Sequence, residues 1–378
     1  MHMMIKPACL LLLCCLFTYE FNAQTEFITF TEENGSILSI PEKMDKESIA
    51  GFSLAIYRQL ELDTLVPYGY RDKSQQLPVD EHTVFQVGSM GTAVVHFAVI
   101  RTAEAGLIDL DEDVNTYLKS WKLPVNKFNR ERAVTIRDLL LRSRGFRDEY
   151  KPKGYTAGTA LPNLVQILKG QAPSQEKSIR LVRKEAGENT TFQNGLVLQQ
   201  LLIDVYQKPF AELMQEVALR PLGMEDSFFA TELSPAQAAN AALGYYRDGA
   251  AVPSGYYRYP ELAAAGLWST PADYAKLVQT ILLAATGKDT RLISRELARQ
   301  CIDPVYQGRS LIFHSGKTLF WGGAPHGFYS IFYADPEAGW IAVGMSNSHI
   351  NWQFVNAAVG KSGEYAYRKD HSSSAGNE

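Results

Sequence analysis

Val84 to Leu107 reads VFQVGSMGTAVVHFAVIRTAEAGL. Up to Val87 the run is short and rich in β-branched and aromatic residues, which suits a strand; Gly88-Ser89 breaks it. From Met90 onward apolar residues recur at helical spacing until Gly106. A strand that turns into a helix at a Gly-Ser corner places the Ser89 hydroxyl where several hydrolases put a nucleophile. One turn on stands Thr92, whose hydroxyl takes no proton at neutral pH. Ser89 also has a plainer role open to it, as an N-cap accepting from first-turn N–H groups, worth about 1 kcal/mol.

Upstream, ESIAGFSLAIYRQLELDTLVPYGYRD alternates apolar and polar residues around a break at Gln59 to Asp63, which predicts a strand hairpin. Downstream the pattern turns helical. VTIRDLLLRS starts with Thr135 as a cap, and NGLVLQQLLIDVYQKPFAELMQEVALRPLGM supplies two helices split around Pro209. Between these, Gly154 to Glu188 is rich in Gly, Pro and charge and reads as a long loop bordering a cleft. Ser269 or Thr270 caps a further helix whose first position is Pro271. The last third returns to strands: HSGKTLFWGG, and GFYSIFYADPEAGWIAVGMSN with a turn at its Pro-Glu-Ala-Gly. Strands near both ends with helices between them imply an α/β (α+β) chain. Its sheet is drawn from about residues 28–88 and 270–360, around a mostly helical insertion at about 89–269.

With 46% hydrophobic and 21% charged residues, the 378-residue chain can bury a substantial core. The first 23 residues read as a secretion signal: Lys6, then an apolar run of about ten residues, then Ala23. An exported protein, periplasmic or extracellular, is expected. A lipid anchor at Cys14 or Cys15 is disfavoured by the bulky leucines before them. Cys301 then remains as the single cysteine, so no internal disulfide is expected. No other run is long and apolar enough to span a bilayer. A net charge of −4 with mixed signs gives no reason to expect nucleic acid. Scattered histidines predict no metal, and no cofactor motif stands out. The polar residues 366–378 read as a disordered tail.

Several phrases occur in a recognisable order: FQVGSM, GLIDLDEDVNTYL, VTIRDLLLRSRGF, PFAELMQEVALRPLGM, YPELAAAGLWSTPADYAKL and WGGAPHGF. From about Gly51 to Asn347 the chain resembles the serine β-lactamase-related family, nearest to class C β-lactamases, D-alanyl-D-alanine carboxypeptidases and their esterase relatives. The resemblance implies a β-lactamase/transpeptidase-like fold as a single domain over 24–365. It also implies three catalytic elements. S-x-x-K lets a Lys amine take the Ser proton, because an offset of three puts both on one helix face. Y-x-N supplies a phenol and an amide. K-T-G or H-x-G supplies a polar side chain and one backbone donor of an oxyanion hole.

The chain departs at each proton-handling position. Thr92 replaces the Lys, Phe192 replaces the Tyr while Asn194 keeps the amide, and Trp321 heads the third element. Arg142-Ser143-Arg144 stands where the family has His-Thr-Ser. By the resemblance the N–H groups of Ser89 and Ala324 form the oxyanion hole beside Gly323. Phe192 and Trp321 either wall an aromatic pocket or fill vacated space. Two histidines are substitute-base candidates: His96, about 10 Å along the helix and too far for direct contact, and His326, three residues past Gly323. His314 to Thr318, HSGKT, reads as a turn rather than a phosphate loop. The expectation is a family member with an impaired or inactive site that binds a small-molecule, acyl, peptide or cell-wall ligand. The alternative is an active serine hydrolase with a relocated base, and a third reading is an interaction module.

Overall fold

The computed structural model describes residues 28–147, 152–186, 191–305, 309–313, 318–349 and 352–372. The expected signal segment and most of the HSGKT turn lie outside the described residues.

The hairpin at Gln59 is present: β1 (Gly51–Arg58) and β2 (Glu61–Asp72) are joined by Gln59 and Leu60, at φ of 51° and 64°. Two consecutive left-handed residues match the twist of the flanking strands. With β3 (Leu77–Pro78), β4 (Leu319–Gly323), β5 (Tyr329–Asp335) and β6 (Trp340–Ser346), they form one antiparallel sheet ordered β4-β5-β6-β1-β2-β3. The seam is β6 on β1, with Ser346 opposite Phe52. Two stretches far apart in sequence thus close one sheet, as the strand signals near both ends require.

Both faces of the sheet are covered. Phe52, Leu54 and Ile56 pack with Phe354, Val355 and Val359 of the long helix at Trp352–Ser372, while Ala55 and Tyr57 face the main core. This period of two is the pleat of a strand buried on both sides, and Ser53 is buried with the rest. The main core centres on α1 (Gly91–Glu104), buried from Gly91 through Ile100, which explains why its sequence shows no polar stripe. Beside it runs α2 (Thr191–Tyr206), while α3 (Pro271–Thr286) packs on the sheet at β6 and β1. Thr270 caps α3 by accepting from the Asp273 N–H, and Thr135 makes a capping box with Asp138. We label the C-terminal helix α4 (Trp352–Ser372).

Two expectations need correction. The Gly154 to Glu188 segment holds a helix at Leu164–Lys169, capped by Asn163 with Gln166. It also holds a strand at Leu181–Glu185 that pairs with Arg144–Phe146. That pairing is tertiary, and a composition dominated by Gly, Pro and charge conceals it. The tail expected to lose order from 366 is helical through Ser372. Ala358, Val359, Ser362 and Ala366 anchor α4 in the core, and extending a formed helix costs little per residue.

Candidate active site

The Gly-Ser corner is a meeting of two backbones. Phe85–Gln86 pairs with Leu267–Ser269, and the Val87 N–H donates to Leu267 O at 3.1 Å. The chain then makes a 3₁₀ turn at Gly88–Met90 that runs directly into α1. Gly88 has φ 55°, and a Cβ there would stand 2.7 Å from Pro325 Cδ. A Cβ on Gly323 would stand 2.0 Å from Val87 O, so only glycine lets the end of β4 lie against the turn. The Ser89 hydroxyl donates to Gly322 O at 2.8 Å. The expected N-cap role is therefore not taken up: a tight 3₁₀ turn begins the helix, and no side chain caps it. Among the described residues, neither the Ser89 N–H nor the Ala324 N–H has an acceptor.

Behind this corner the expected site residues are turned into the core. Thr92 is buried and donates to Ala263 O at 3.2 Å, away from Ser89. Asn194 is fully buried on α2. Trp321 follows the strand alternation inward, since Leu319 and Trp321 are buried while Phe320 between them is exposed. Its ring takes the Arg142 guanidinium over its face at 4.8 Å and the His96 ring edge-on at 6.1 Å. Of the two readings of Trp321, core filler is the observed one. His96 is likewise a core residue, its Nδ1 bonded to Leu311 O at 2.8 Å. Burial, helped by the charge of Arg142, pushes its pKa down to about 3, so the ring is neutral. Arg142, itself buried, has its pKa drawn down to about 9 by burial and then by Arg309. Its guanidinium donates to Ile312 O and Ser310 O.

In front of the corner lies a cavity of about 90 Å³ lined by Gly88, Ser89, Phe192, Tyr259, Ala324 and His326, with Pro152, Ala264, Ala265 and Pro325. Ser89, Phe192, Ala324 and His326 thus line one cavity, while Thr92, Asn194, Trp321 and Gly323 are not in the lining. Tyr259 was missed. Its only sequence signal is an aromatic residue with a polar tip ahead of the small-residue run Ala263-Ala264-Ala265, within a phrase read for scaffold alone. The Tyr259 phenol accepts a hydrogen bond from the His326 backbone N–H, and burial pushes its pKa far up, so it stays protonated. The His326 ring lies 4.5 Å from the Tyr257 ring and 6.1 Å from the His349 ring. Burial, then the charge of His349, lowers its pKa, which keeps it a neutral imidazole.

This arrangement offers backbone donors, a phenol and a neutral imidazole around a serine hydroxyl, with no amine or carboxylate in the lining among the described residues. The sequence model of the family described as "Beta-lactamase" matches residues 39–358. Protein Rv1367c of Mycobacterium tuberculosis is 25% identical over 293 residues, covering 70% of each chain. Among solved structures, D-amino acid amidase of Ochrobactrum anthropi superposes with a TM-score of 0.66 at 19% identity, over 88% of this chain and 97% of its own. FmtA of Staphylococcus aureus superposes with a TM-score of 0.65 at 20% identity, over 85% and 88%.

Proposed function

From the premise that this chain belongs to the β-lactamase family, we propose that it is an exported, catalytically impaired member that holds an acyl or peptide ligand in the cavity at Ser89. One observation carries the reading: the Ser89 hydroxyl is donated to Gly322 O, while the side chain one turn on, Thr92, donates to Ala263 O. A serine nucleophile needs a base within hydrogen-bond reach. Among the described residues no Lys, His or carboxylate bonds to Ser89. General acid-base help contributes about 10²–10⁴ in rate. The backbone donors that remain can sustain about 10³–10⁴ over water, by analogy with disabled serine proteases. Binding with very slow turnover is the chemistry that fits. Export rests on Lys6, the apolar run and Ala23.

A second reading is favoured by His326, which lines the same cavity as a neutral imidazole, the form a general base requires. In that case the protein is a working serine hydrolase. The two separate on exposure of purified protein to a fluorophosphonate and to a labelled penicillin, read by intact mass beside Ser89→Ala. We expect no Ser89-dependent adduct within minutes. A rapid adduct that Ser89→Ala abolishes and His326→Ala slows would establish the hydrolase instead.

A further inference from the structure

Resting on the reading that the Ser89 cavity binds a ligand, we propose that Tyr259 joins the Ser89 and Ala324 N–H groups in a three-donor cradle. The group it recognises is the carboxylate of a small acyl-amino acid or peptide terminus. The position where the family carries its phenol is Phe192 here, with no hydroxyl. A hydroxyl nevertheless reaches the cavity from a different segment: Tyr259 is 2% exposed and lines it. Its oxygen already accepts from the His326 backbone N–H. Among the described residues no acceptor is seen for its proton, which leaves it for whatever enters.

The position of this phenol is fixed by its surroundings. Tyr155 and Arg258 exchange two backbone hydrogen bonds, each 2.9 Å, which pins the segment carrying Tyr259 to the segment carrying Gly154. Arg258 itself donates to Thr156 O at 2.6 Å and Thr159 O at 2.7 Å. Gly154, at φ 70°, lies so close that a Cβ would stand 2.8 Å from the Tyr259 ring. The ring therefore has little freedom to withdraw.

The donor count sets the ligand class. The cavity presents two N–H groups and one O–H, and the Ser89 hydroxyl is committed to Gly322 O. An acceptor-only group with two oxygens uses all three donors, whereas the single oxygen of a neutral amide leaves at least one of them unmatched.

The test titrates the purified protein with N-acetylglycine and with its neutral counterpart N-acetylglycinamide, by calorimetry or by NMR. We expect the carboxylate to bind at least about tenfold more tightly than the amide, and Tyr259→Phe to remove most of that preference. Gly154→Ala, which crowds the ring, should reduce the preference in the same direction and carries the test if Tyr259→Phe does not fold. Equal affinities in the unmodified protein, or a Tyr259→Phe variant that keeps the full preference, would overturn the cradle. Fast Ser89 acylation would remove the impaired-enzyme reading and leave this equilibrium comparison intact, so the two fail separately.

Discussion

The two sides of β4's end differ in what occupies them. In front, the 3₁₀ turn at Ser89 and the chain at Ala324 line a small cavity, their N–H groups without an acceptor among the described residues. Behind, Trp321, Arg142 and His96 pack into a sealed cluster that uses the indole for cation–π and edge contacts. The front's N–H groups are main chain, so they persist through side-chain exchanges that keep Gly88 and Gly323, while Phe192, Tyr259 and His326 complete its lining. The back is made of side chains, so exchanging them changes its chemistry entirely. A family architecture can therefore outlast its proton-transfer groups, because different kinds of atoms build the two.

The largest test strikes the back. Trp321→Ala removes a nearly buried indole and strands the Arg142 guanidinium beside the hole, so stability should fall by about 3–5 kcal/mol in denaturant melts. A loss under 1 kcal/mol would mean that the cluster does not hold the sheet edge.

A pH titration asks a finer question of the same cluster. His96 is neutral in the fold with a pKa of about 3, whereas an unfolded imidazole titrates near about 6.5. Its folded pKa is depressed, so the stability it supports is present above about pH 6.5 and is lost as pH falls toward 3. By pH 5 the loss should reach about 2 kcal/mol. Comparing urea midpoints at pH 7 and pH 5 with those of His96→Gln should show this component gone in the variant. An identical pH slope in both proteins would contradict the sealed back.

The smallest effect belongs to the front. Ser89→Ala deletes one hydrogen bond, the donation to Gly322 O, and should cost about 1 kcal/mol or less in melting experiments. A loss several times larger would mean that the hydroxyl braces the junction and that the front, too, depends on side chains.

Local rules were sufficient for much of this molecule. The hairpin at Gln59, the helix from Met90, the caps Thr135 and Thr270 and the β5-β6 hairpin all follow from spacing, turn residues and capping, which act within a few residues of chain. Ser89, Phe192 and Ala324 follow from the resemblance and His326 from its place three residues past Gly323, and all four line the cavity. Thr92 and Asn194 were not legible as core, and Trp321 only as one of two readings, because a motif's spacing gives a residue's address on its element but not the packing that turns its side chain. Tyr259 was invisible for the converse reason: no local pattern marks a phenol brought to Ser89 from 170 residues away in sequence.

By itself, the sequence determined the element types outside residues 154–188, the sheet drawn from two distant stretches, and the loss of an amine one turn after the serine, since these depend on backbone propensity and residue identity. The tertiary structure alone decided which hydroxyls and N–H groups face the cavity and which residues vanish into the core. Those outcomes depend on distances of a few ångströms between segments far apart in the chain, where close packing permits one arrangement and excludes its neighbours.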